Sequence, residues 1–332
     1  MSRTHDTSIP KRMLALLGVL FISASAQAQV THGSSDPSGV SGFTDGTRWS
    51  DGQVPRSGFA YTTTTLIRTP ADAVDHVFGG DSLTILNGGS IAFKGTASTV
   101  ITVNNLTLQG TGYITNLQAT PTFTLAGSLR INSGNTGNLR LSYDSTSGTP
   151  QSAGFSVSSA IAGAGILSIT SQNPAQSTVA VTLTGAGNTF SGGTLVQTNG
   201  WLIAQADGTL GSGNLSVNGG RLTLQLGSTN NYISDAATVA FSNLSASSIN
   251  LNFSGADVVR ALSLDGGTTF LNAGNYSATT LNSLYGSNAF VGNGSITVVP
   301  EPSQTILIVG SALLMLMTGQ LVRRKHPKTA KA

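Results

Sequence analysis

Apolar residues in this chain recur at alternate positions in short runs, and the runs themselves recur. "SLTIL" begins at Ser82, "NLTLQ" at Asn105 and "SLRIN" at Ser128, a step of twenty-three residues taken twice. A second lane keeps nearly the same step, with "IAF" at Ile91, "ITN" at Ile114 and "NLR" at Asn138. A third, looser lane holds "ITV" at Ile101 and "TFTL" at Thr122. Alternation of period two is the mark of a strand with one buried face. Three short strands per step, in register from one step to the next, predict the coils of a parallel β-solenoid. One coil cannot bury its apolar stripe alone, whereas a stack buries a continuous column of Leu, Ile, Val and Phe. A β-sandwich also alternates and turns often. The constant step over residues 80–230 favours the solenoid.

Composition agrees with this pattern. Gly accounts for 41 of the 332 residues, and only 9% are charged. Ser, Thr and Asn supply the polarity instead, and they compete for backbone hydrogen bonds and so disfavour helix interiors. Gly and Asn suit corners that need positive φ. Outward Thr and Asn predict hydrogen-bonding ladders between coils, in place of salt bridges.

The formal charge of +3 is a property of the ends. Residues 29–299 carry eight basic and eleven acidic side chains, net −3. A nucleic-acid footprint needs Lys and Arg clustered on the folded body, so no nucleic-acid partner is expected. There is no Cys, and therefore no disulfide or thiol chemistry.

Both ends read as addresses. Lys11 and Arg12 precede an apolar run over residues 13–22, and Ala26 and Ala28 place small residues where a signal peptidase inspects the chain. This predicts a signal peptide over 1–28 cut after Ala28, with the apolar run too short to anchor. Residues 303–322 form a twenty-residue stretch without a charge, long enough as a helix to cross ~30 Å of hydrocarbon. Arg323, Arg324 and Lys325 follow at once, and the positive-inside rule keeps them cytoplasmic with the body outside. The prolines of Pro300-Glu301-Pro302 leave an extended, accessible segment just before the span.

The order Pro-Glu-Pro, apolar helix, Arg cluster over residues 299–332 resembles the PEP-CTERM sorting signal. The resemblance implies that a membrane-embedded exosortase reads Pro300, Glu301 and Pro302 as its recognition motif, with Arg323 and Arg324 at the retained end. The tail runs on for eight residues after Arg324, longer than that family's usual stub.

A second resemblance covers residues 181–225, "VTLTGAGNTFSGGTLVQTNGWLIAQADGTLGSGNLSVNGGRLTLQ". Leu183, Gly185, Asn188, Phe190, Gly192, Gly193, Thr194, Leu195, Leu202, Gly211, Gly213, Val217 and Leu224 follow the autotransporter-associated β-strand repeat, of which one full copy is clear. That repeat implies a surface-exposed, right-handed parallel β-helix. Trp201 stands where the repeat commonly has a small residue and is read as packing on a coil face rather than as a sugar platform. Residues 29–79 form a linker and cap ahead of a body over 80–298. Within them residues 47–61, with Trp49 and Pro55, resemble an entry segment of exported proteins carrying these repeats. Residues 262–278 resemble a closing hairpin, with Asp265-Gly266-Gly267 as its turn.

No nucleophile constellation is visible. His32 lies in a Gly/Ser stretch read as linker. Asp72, Asp75 and His76 either chelate a cation or make a solvated turn, and a metal site needs three or four convergent ligands. Parallel β-helix hydrolases and lyases cluster their carboxylates, whereas Asp144, Asp207, Asp235, Asp257 and Asp265 are isolated and mostly beside Gly, where Asp makes turns. No glycine-rich calcium nonapeptide occurs. Six Asn-x-Ser/Thr triplets, at Asn105, Asn214, Asn243, Asn252, Asn275 and Asn293, are what chance allows in this composition.

The sequence thus predicts an all-β, right-handed parallel β-helix, with an N-terminal signal peptide and a C-terminal transmembrane helix. It would be exported, held for a time in the inner membrane, and then placed at the cell surface or in the extracellular matrix. Catalytic, cofactor and metal residues are expected to be absent. The function is structural or adhesive, with signal peptidase, an exosortase-type enzyme and extracellular polysaccharide as partners. The alternative is a β-helix polysaccharide hydrolase or lyase.

Overall fold

The computed structural model describes residues 28–141, 153–172 and 179–299. Ala26, the tripeptide at 300–302, the span at 303–322, the basic cluster at 323–325 and Asp144 lie outside them. Ala28 is the first described residue and is exposed. No helix among the described residues is long and apolar enough to cross a membrane.

The chain winds through about eight turns of a parallel β-solenoid. A thirteen-stranded sheet and a nine-stranded sheet run along it, and a three-stranded sheet closes its C-terminal end. Among the described residues, apart from an isolated bridge between His32 and Trp49, the antiparallel pairing is that of Gly274–Ser277 with Ser295–Val298. A β-sandwich is therefore ruled out, because its strands pair antiparallel.

The predicted lanes are the three faces of the coil. Leu83, Leu106, Leu129 and Ile161 stand in register on one face. Ile91, Ile114, Leu139, Ile169, Val196, Val217 and Phe241 do so on the second. Ile101, Leu125, Val157, Leu183, Ala204, Leu224 and Leu251 form the third. All of these residues are buried. Filled columns of this kind remove several square nanometres of apolar surface from water, the dominant favourable term in folding.

The thirteen-stranded sheet covers two of the three faces by bending. The strand Thr99–Leu108 breaks register with Phe123–Ile131 between Val103 and Leu106. Gly127 sits opposite this break at φ +99°, and a Cβ there would fall onto the Val103 carbonyl. Only glycine turns this corner without strain.

Ladders between coils exist, and they lie chiefly at corners. Thr111 donates its amide to Asn87 Oδ1 at 2.9 Å, Gly110 donates to Asn135 Oδ1 at 2.7 Å, and Asn243 Nδ2 donates to Asn218 Oδ1 at 2.7 Å. Corner carbonyls and amides lack strand partners, so a side-chain amide is most useful there. Asn188 does this twice. Its Oδ1 accepts from Ile161 N at 2.9 Å and its Nδ2 donates to the Thr209 carbonyl at 2.8 Å, joining three successive windings.

Inside, Phe93, Phe123 and Phe155 stack face to face, with centroids 4.8 and 4.9 Å apart. The N-terminal end is plugged by aromatic rings. Trp49 meets Tyr61 at 4.8 Å, Tyr61 meets Phe78 at 5.3 Å, and Trp49 Nε1 donates to the Gly42 carbonyl at 2.7 Å.

Residues 262–278 do not close as a single hairpin. Asp265 locks its own turn through the amides of Thr268 and Thr269, each at 2.9 Å, and Leu271 returns one bond to the Leu262 carbonyl at 2.8 Å. The strand Gly274–Ser277 then finds its partner beyond a helix, Ala278–Tyr285. This short helix is capped by Ser277, whose side chain accepts from Thr280 N, and by Gly286 at φ +75°.

Candidate functional site

The segment after the first strand, Gln29–Thr31, folds back over the open edge of the nine-stranded sheet. That edge is the strand Leu66–Arg68. Asp36 donates its amide to the Leu66 carbonyl at 2.9 Å and accepts the Arg68 amide on Oδ2 at 2.8 Å. Ser41 Oγ donates to the Arg68 carbonyl at 2.7 Å. Side chains thus do for this edge what a further strand would do.

His32, read from sequence as part of a linker, is 5% exposed. Its Nε2 lies 3.1 Å from Asp36 Oδ1 and its Nδ1 lies 2.8 Å from Thr65 Oγ1. Gly/Ser neighbours signal a loop, but nothing local reveals that Asp36 will meet the ring. Asp36 also accepts from Arg48 Nε at 3.1 Å and Gly42 N at 2.7 Å. Burial pushes its carboxyl up, but the His32, Arg68 and Gly42 bonds outweigh that and leave it below the ordinary carboxylate range.

Between this folded-back segment and the coils lies a cleft of about 360 Å³. Its floor comes from three consecutive windings: Arg68 stands in register with Ala92, two residues before Lys94, and Ala92 with Thr115, three residues before Gln118. Lys94 N donates to Thr69 Oγ1 at 2.9 Å, and Gln118 Nε2 donates to the Lys94 carbonyl at 2.7 Å and the Gly95 carbonyl at 3.0 Å. Arg68 is pinned through Nε to the Asp36 carbonyl at 2.8 Å. Ser38, Thr44 and Thr96 add exposed hydroxyls to the walls. Among the described residues the lining includes Arg68 and Lys94. Sequence reasoning missed these residues. The strand step does not single them out, because Arg68 pairs with Ala92, two residues short of Lys94.

The sequence-nominated carboxylates are dispersed. His76 Nε2 is 2.8 Å from Asp72 Oδ1, whereas Asp75 Oδ1 accepts from Val100 N at 2.7 Å. No group of three or more His, Asp or Glu that would hold a metal occurs among the described residues. A cleft at Asp235 and another at Asp75 each hold one carboxylate. Asp207 binds the next winding, accepting from the amides of Ser228, Thr229 and Asn231 at 2.9–3.0 Å.

Asp257 departs from the turn reading. It is inward-facing in the strand Ala256–Val259 and 1% exposed. Its Oδ2 accepts from Ile233 N at 3.2 Å, and its Oδ1 has no hydrogen-bond partner among the described residues. Burial, with a smaller repulsion from Asp235, pushes its pKa up to about 8.

Trp201 lies half-buried in register with Arg221, whose guanidinium carbon sits 4.1 Å from the ring centroid. Arg140 covers Tyr113 in the same way at 3.3 Å. These aromatic faces are occupied from within the chain. No family model, no curated protein and no solved structure matches this chain.

Proposed function

We propose that the protein is an exported, non-catalytic rod of right-handed hand that serves as a structural or adhesive component of the cell surface or extracellular matrix. The hand follows from the strong preference of parallel crossovers. The observation that supports the role is the interior. The inward columns, ending at Phe241 on one face and Leu251 on another, leave the outside of an extended rod as the working surface.

Delivery rests on the two ends. Signal peptidase would cut after Ala28, and the 303–322 helix would hold the body outside the inner membrane, with Arg323, Arg324 and Lys325 inside. An exosortase-type enzyme would then read Pro300, Glu301 and Pro302. The test is fractionation of cells expressing the chain with and without that tripeptide. Loss of surface material, with the protein retained in the inner membrane, supports the reading; identical distribution of both forms sinks it. Depolymerisation of a polysaccharide by the purified chain, abolished by one Asp→Ala change, would favour the hydrolase or lyase alternative instead.

A further inference from the structure

We propose that the C-terminal end of the solenoid, around Phe270 and Val299, rests on the lipid headgroups of the membrane that residues 303–322 are read to span. The contact rests on that proposed span, but it is a separate claim about the surface of the body.

The chain leaves the fold very close to the span. Val299 still belongs to the body, because its amide donates to the Val259 carbonyl at 3.0 Å directly after the strand Ser295–Val298. That strand lies between Ala256–Val259 and Gly274–Ser277, so peeling it away breaks pairing on both sides. The uncharged stretch begins at Ser303, four residues on. Four residues reach at most ~14 Å when fully extended, and the headgroup layer itself takes up roughly 5–8 Å of that. Even at full stretch the gap between body and headgroups stays under about 10 Å.

This end of the body suits such a neighbour. Gly274 stands opposite Val298 in an antiparallel pair, so the stretch before Gly274 runs beside the chain that leaves Val298. Phe270 lies in that stretch and is 52% exposed, and Val299 is 55% exposed. Two large apolar side chains thus stand open where the chain departs for the membrane. Tyr276, half-buried in the same sheet, adds an aromatic ring of the kind enriched at bilayer interfaces. Residues 261–299 carry one charged side chain, Asp265, whose carboxylate accepts from its own turn at Thr268 and Thr269. Little here repels an anionic bilayer surface.

The apolar contact is weak by itself. A whole myristoyl chain gives only marginal membrane binding, and two half-exposed side chains bury less. The short tether supplies the rest by keeping the bilayer at a high effective concentration. The windings then stack outward from the membrane, with the N-terminal cap farthest from it.

The chain has no Cys, so a single introduced thiol can be labelled alone. Full-length Phe270→Cys and Val77→Cys, each carrying an environment-sensitive fluorophore, would be reconstituted body-outward in vesicles of phosphatidylethanolamine and phosphatidylglycerol. Val77 is 63% exposed and lies in an early winding. The Phe270 label should be shielded from iodide and reached by quenchers placed in the lipid, and the Val77 label should show the reverse. Inserting about ten Gly/Ser residues after Val299 adds roughly 17 Å of mean reach and should return the Phe270 label to iodide. Equal iodide quenching at the two sites, or shielding of Phe270 that survives the insertion, would overturn the proposal while leaving the span intact. Release of the chain from the vesicles by alkaline carbonate would overturn the span and the contact together.

Discussion

The Asp36 carboxylate accepts the Arg68 amide at 2.8 Å, so a side chain terminates a sheet edge where the next winding would otherwise dock. The same carboxylate accepts from three further donors. Removing it leaves several buried donors without a partner, which costs more than the bonds themselves contribute. Asp36→Ala should destabilise the chain by about 3 kcal/mol or more. Urea unfolding followed by fluorescence from Trp49, which packs against His32 at 4.9 Å, reads this directly. A loss under about 0.5 kcal/mol, the scale of a neutral surface change, would show that the edge is not held this way. Because the Asp36 pKa is lowered on folding, its contribution is present above the ordinary carboxylate range and fades as pH falls through the depressed value.

Asp257 predicts the opposite pH dependence. Its folded pKa is raised to about 8 from 3.8, so the folded state keeps a proton that the unfolded chain has given up. Stability should therefore fall as pH rises from about 4 to about 8 and level off above that. Asp257→Asn should flatten the slope and stabilise the chain at pH ~9 by on the order of a few kcal/mol. Urea midpoints from pH 5 to 9 for both proteins check this; parallel profiles would contradict it.

Phe123 stands between Phe93 and Phe155 in the stack. Phe123→Ala should cost ~3–5 kcal/mol by opening a cavity that both neighbours face. Phe270, 52% exposed, provides the control, and its change to Ala should fall within about 0.5 kcal/mol. Comparable losses for the two would argue against a continuous interior.

Gly127→Ala tests the corner. With φ at +99° and the Val103 carbonyl in the path of a Cβ, the substitution should destabilise by more than ~1 kcal/mol. Gly134, at φ +75° with open space around it, should lose less. Thermal unfolding of the two variants ranks them.

Cleavage after Ala28 should leave Gln29 as the mature N-terminus, so that the chain begins with its first strand, Gln29–Thr31. Mass spectrometry of protein recovered from the cell surface should find Gln29 first. An intact Met1 would contradict export by this signal.

The sequence alone determined which residues form the columns. Leu83, Leu106 and Leu129 were legible because period-two alternation and a constant step are local properties of the chain. The contact between Trp201 and Arg221 was not legible, because it forms only where two windings stack. The step lengthens later, from Leu129 to Ile161, and periodicity alone does not reveal that these two still pair.

Only the tertiary structure decided what happens at edges and ends. Asp36 meets Arg68 across thirty-two residues, Asp257 turns inward although Gly precedes it by two positions, and Gly274–Ser277 pairs beyond a helix with Ser295–Val298. Arg68 and Lys94 come to line one cleft only once the windings are stacked and the segment before them folds back. Pairing between successive windings repeats and so leaves a pattern in the chain. The end of a stack occurs once and must satisfy its open backbone groups with whatever side chains reach it in space.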